Sequence, residues 1–130
     1  MTGNNTVKEI ILEKELPYNY RKLQSFFLNS GCLRLFYEVE EISKISNLTY
    51  LINGKVTATL HLKDQYIIWI ISKNNYTLDQ LVVLLIPYLD NTVLHLRFTT
   101  KRILPLRRSL EREVNAELEL LRELLYALRQ

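Results

Sequence analysis

Hydrophobic positions along this chain recur with two different periods, and the switches between them divide it into elements. Over 7–16, Val7, Glu9, Ile11 and Glu13 alternate with Lys8, Ile10, Leu12 and Lys14, a pattern that suits an edge strand slightly better than a short helix. Pro17 then pre-sets a first helical turn. Leu23, Phe26 and Phe27 follow at helical spacing until Ser30-Gly31, which predicts an amphipathic helix over 18–30. From Cys32 the period becomes two: Leu33, Leu35, Tyr37 and Val39 against Arg34, Phe36, Glu38 and Glu40 predict a half-buried strand. Asn53-Gly54 between two apolar runs predicts a type I′ hairpin within 48–62, because both residues tolerate positive φ. With a two-residue loop, Leu51 lies opposite Val56 and joins a core face with Ala58, Leu60 and Leu62. Leu48, Tyr50 and Ile52 then fall on the reverse face beside Thr57, Thr59 and His61.

Lys63-Asp64-Gln65 is the next turn, and the run Tyr66-Ile67-Ile68-Trp69-Ile70-Ile71 reads as a central strand covered on both faces, with Trp69 in the core. Thr77 and Gln80 resemble a capping box. Leu78, Leu81, Val82, Leu85, Ile86 and Leu89 continue it as a buried helix over 78–89, closed by Pro87. Thr92 to Phe98 alternates again as a strand. From Pro105 onward one long helix is predicted, with Leu110, Val114, Leu118, Leu121, Leu125 and Leu128 in a narrow stripe toward the sheet. These elements make an α+β domain spanning 1–130 with a frayed 1–6: a single antiparallel sheet of about five to six strands, packed by three helices.

Composition narrows the class. Among 130 residues there are 26 leucines but three glycines and three prolines, so most of the chain is regular structure. One cysteine, Cys32, excludes an internal disulfide framework and a cysteine-based zinc site. No long apolar run marks a signal peptide or membrane span, so a cytoplasmic protein is expected. The net charge of +3 is too small to point to a partner by itself.

Catalytic groups are sparse. His61 and His95 lie far apart on predicted strands, Cys32 is a lone thiol at an element boundary, and there is no Gly-rich phosphate loop, GxSxG or HExxH. No catalytic residue, cofactor or metal ligand is therefore assigned, and a non-enzymatic role is expected. Two surfaces remain. Leu120, Leu124 and Ala127 widen the last helix's apolar stripe, and Tyr126 projects from its polar side. With Leu48, Tyr50 and Ile52 they suggest a protein-interaction surface, so that the chain works as a homodimer, adaptor or assembly chaperone. In shape alone this is similar to secretion-type chaperones. The second surface is basic: Arg97, Lys101, Arg102, Arg107, Arg108 and Arg112 stand against one acid, Glu111, giving a local charge of +5. Arg102, Arg107 and Arg108 fit an acidic protein partner. In the alternative, the six cations contact nucleic-acid phosphates, although the glutamates that follow would repel a backbone running along the helix.

Overall fold

The computed structural model describes residues 8–101, 106 and 115–130. It is α+β, with seven strands in one antiparallel sheet and a helix at its C-terminal end. In chain order the elements are β1 (Lys8–Leu16), α1 (Tyr20–Leu28), a 3-10 helix (Ser30–Leu35), β2 (Ile42–Ser46), β3 (Thr49–Ile52), β4 (Val56–Lys63), β5 (Tyr66–Lys73), β6 (Tyr76–Tyr88), β7 (Asn91–Thr100) and α2 (Ala116–Arg129). Strands β2 to β7 form a continuous meander, and β1 joins beside β7, giving the order β1-β7-β6-β5-β4-β3-β2. The turns fall where the residues tolerate a left-handed backbone, at Asn53-Gly54, Asp64 and Asn74-Asn75.

One face of the sheet carries the core. Ile10, Leu12 and Leu16 of β1 lie beside Leu94, Leu96 and Phe98 of β7, then Leu81, Val83 and Leu85, then Ile67, Trp69 and Ile71, then Val56, Ala58 and Leu60. Leu23 and Phe27 of α1 pack onto this face, where the Trp69 Nε1–H donates to the Phe27 carbonyl at 2.8 Å. Asn19 caps α1 by accepting from the Lys22 N–H at 2.9 Å. Helix α2 buries Ala116, Leu120, Leu124 and Leu128, an i, i+4 row, and contacts β1 and the 3-10 helix.

Four expectations need correction. Residues 76–88 form a strand, not a helix: the leucines at spacings of three and four also alternate, and Leu81, Val83 and Leu85 are buried beside β5 and β7. Pro87 fits because β6 runs past the end of β5 there and has only β7 beside it. Residues 32–40 are not a strand. Leu33, Leu35, Phe36 and Tyr37 are all buried, and a 3-10 turn followed by a loop can point consecutive side chains inward. The hairpin pairs Ile52 with Val56, leaving three residues in the loop, so Leu51 faces outward with Thr57 while Tyr50 and Ile52 face the core. Finally, α2 turns a different stripe inward. Leu118 is exposed, and Leu121 and Leu125 are half-buried; 107–114, with Leu110 and Val114, lie outside the described residues.

Candidate interaction face

Because helices occupy one side of the sheet, the other side is built wholly from strand residues of opposite parity. Cross-strand register sets them in rows. One row runs Glu9, Thr99, Gln80, Ile70, Thr59; the next Ile11, Arg97, Val82, Ile68, His61; the next Glu13, His95, Leu84, Tyr66, Lys63. Glu15, Val93 and Ile86 form a shorter fourth. Within these rows the middle columns, β5 and β6, are therefore apolar except at Gln80. Ile11, Tyr66 and Ile86 are 42%, 42% and 41% exposed. Among the described residues no element packs on this face, so Ile68 and Ile70, expected to be covered, are shielded only by their neighbours within the sheet.

The margins are charged. On the β1 side Glu9 pairs with Arg97 at 3.3 Å, Glu13 lies 3.4 Å from His95, and Glu15 accepts from the Asn91 amide at 2.6 Å. Three carboxylates against one guanidinium leave that margin net acidic. On the β4 side Lys63 stands exposed at the end of its row. Between the margins the surface dips twice. A depression of about 330 Å³ lies among Ile11, Tyr66, Val82, Leu84 and Arg97, and another of about 590 Å³ lies among Leu48, His61, Leu62, Ile68 and Ile70.

The predicted interaction residues scatter. Leu48 is exposed on this side and Tyr126 is exposed on α2. Ile52, Leu120 and Leu124 are buried in the core and Tyr50 packs on Trp69 at 5.7 Å, so these four are not a surface. The reason is the extra loop residue for the hairpin and the i, i+4 row for the helix. Of the basic segment, Arg97 turns to Glu9, and the Lys101 Nζ donates to the Thr77 carbonyl at 3.0 Å. Arg102, Arg107, Arg108 and Arg112 lie outside the described residues.

The interior offers one polar constellation that the sequence reading missed. Tyr37 donates its hydroxyl to Asp79 Oδ2, and Asp79 Oδ1 accepts from the Lys101 N–H at 3.0 Å. Asp79 points into the core because a bulge beside Ile71 and Ser72 makes Leu78 the extra residue of β6. Burial, reinforced by the Asp79 charge, pushes the Tyr37 hydroxyl well above the usual tyrosine range. A lone Asp inside an apolar run was the available signal. Beside Tyr37 a cavity of about 190 Å³ opens between Ile52, Val56 and Ile71 and a rim of Glu38, Glu40 and Lys55. Cys32 is buried against the Phe27 carbonyl, and burial pushes its thiol up, so it lacks the thiolate a nucleophile needs. His61 and His95 stand on separate outward-facing strands. Among the described residues no three side chains gather as a metal site.

No family model matches this chain, and no curated protein does. Solved structures do share its architecture. DR_A0006 from Deinococcus radiodurans superposes with a TM-score of 0.61 at 16% identity, over 95% of each chain. CalU16 from Micromonospora echinospora gives 0.56 at 13%, over 94% of this chain and 76% of its own. The crystal structure of Ara h 8.0201 gives 0.55 at 13%, over 93% and 99%. At these identities the likeness establishes a common fold and nothing beyond it.

Proposed function

We propose that this chain is a small, non-enzymatic protein-interaction domain that self-associates by stacking the uncovered faces of two sheets. The observation that carries the reading is the apolar band of β5 and β6, which no helix of the described residues covers, because α1 and α2 pack on the opposite side. Three rows of five strands and a fourth of three, at about 4.8 Å between strands and about 6.8 Å between rows, give a footprint of about 590 Å², and corrugation brings it to about 700 Å² per copy, within the range of a standard stable interface.

Edge-to-edge pairing is a poorer route. In the face-matching antiparallel registers that pair seven or more residues of β1 with a second β1, Glu9 meets Glu15, Glu9 meets Glu13, or Glu13 meets itself. Like charges thus guard the edge while the face stays apolar. The non-enzymatic part of the reading is supported by the inert Cys32 and the separated histidines. Of the six cations of the nucleic-acid reading, Arg97 is paired with Glu9, and the Lys101 Nζ is held by the Thr77 carbonyl.

Sedimentation velocity across 1–100 μM tests this. The wild type is expected to be dimeric at tens of micromolar, Leu84→Lys monomeric with unchanged melting, and Tyr126→Lys on α2 still dimeric. A wild type that sediments as a monomer at 100 μM overturns the proposal.

A further inference from the structure

Accepting face-to-face self-association, we infer that the two copies are related by an axis running parallel to β6, which sets Glu13 of each copy against Lys63 of its partner. With the strands of the two sheets near-aligned, two symmetric ways of stacking these faces exist. An axis across the strands lays β1 over β1, bringing Glu9, Glu13 and Glu15 of one copy against the same three carboxylates of the other. An axis along the strands exchanges the two sides of the face. Since β6 is the middle strand of β1-β7-β6-β5-β4, it superposes β1 on β4, β7 on β5 and β6 on itself. Rows are preserved by this operation. The row Glu13, His95, Leu84, Tyr66, Lys63 therefore meets its own reverse, with acid over base at both ends and Leu84 on Leu84 at the centre.

The same operation places Val82 on Val82 and Ile86 on Ile86, so the apolar band packs on itself. It also sets Ile11 over the partner's His61 and Tyr66 over the partner's His95, and it does not bring two carboxylates of the face together. The paired columns stand about 10 Å to either side of the axis, and the roughly 30° angle usual between stacked sheets moves them by about 5 Å, within the reach of glutamate and lysine side chains. Both Glu13 and Lys63 are exposed and free of any role in the core. The contact fixes orientation more than affinity, as charged margins generally do.

Charge exchange tests the orientation. Glu13→Lys and Lys63→Glu are each expected to melt like the wild type at low protein concentration and to raise the dimer dissociation constant about 30-fold at low salt, since each places two like-charged contacts in the dimer. Mixed in equal amounts, the two variants are expected to form a heterodimer within about threefold of wild-type affinity. In that heterodimer the introduced lysine faces the introduced glutamate on one side, and the native pair of Glu13 and Lys63 is kept on the other. The assay is sedimentation equilibrium, with one variant fluorescently labelled. If the wild type dimerises but the single exchanges leave it unaffected, or the mixture fails to recover, the axis is wrong and self-association stands. If the wild type is monomeric throughout, both statements fall together.

Discussion

Replacing Tyr37 by phenylalanine removes one oxygen atom and keeps the ring that packs edge-on against Phe98 at 5.8 Å. The lost hydroxyl is a donor to Asp79, whose carboxylate is 2% exposed and whose other oxygen is held by the Lys101 N–H. A hydrogen bond to a buried charged group contributes about 1.5–3 kcal/mol. The expected cost is about 2 kcal/mol. With a urea dependence of about 2 kcal/mol per molar, the unfolding midpoint falls by about 1 M. Trp69, the one tryptophan and fully buried, reports the transition by fluorescence. Asp79→Leu and the double variant complete a cycle, in which a coupling of at least about 1 kcal/mol is expected. A Tyr37→Phe midpoint within about 0.2 M of wild type, or an additive cycle, would show that the pair is not an interacting unit.

Leu89 holds a left-handed backbone (φ 57°) while 90% exposed, so Leu89→Asn gives up no packing and is expected to stabilise by about 0.5–1 kcal/mol, read as a rise in melting temperature. The Asn53 side chain ties the loop before β2, accepting from the Glu40 and Glu41 N–H groups and donating to the Glu38 carbonyl. Asn53→Gly keeps the turn's φ but loses that tie, with an expected cost of about 2 kcal/mol by urea unfolding. The folded-state pKa values of Tyr37 and Cys32 both lie above their ordinary ones, so their contribution is full below about pH 9 and is lost as pH rises. Calorimetry is expected to show a flat melting temperature from pH 7 to 8.5 and a fall by pH 10.5. Ellman's reagent is expected to leave Cys32 untouched in the native protein and to label it fully in denaturant.

The elements legible in the sequence were those whose local chemistry admits one solution. Asn53-Gly54 fixed a hairpin, Pro17 and Ser30-Gly31 bracketed α1, and the unbroken apolar run around Trp69 marked a central strand. Where two periods fit the same residues, packing chose. The leucines of 78–89 satisfy a helix and a strand equally, and only the presence of β5 and β7 on either side decides for β6. The outward face escaped for a related reason: a strand apolar on both sides reads as doubly covered, whereas here one side has no cover among the described residues. One extra loop residue also inverted every inward and outward assignment on β3, which moved Tyr50 and Ile52 into the core.

The position of β1 beside β7 has a kinetic meaning. Lys8 pairs with Thr100, so β1 waits during synthesis for a partner made about ninety residues later, while each neighbouring pair of the meander closes over a short turn. At 5–20 residues per second, Ile10, Leu12 and Leu16 spend about five to twenty seconds without their sheet partner. Folding is thus expected to run from the meander outward, with β1 docking last. On two crowded ribosomes, the β7 that a waiting β1 meets can belong to another copy, so strand exchange between nascent chains is the misassembly expected of this strand order.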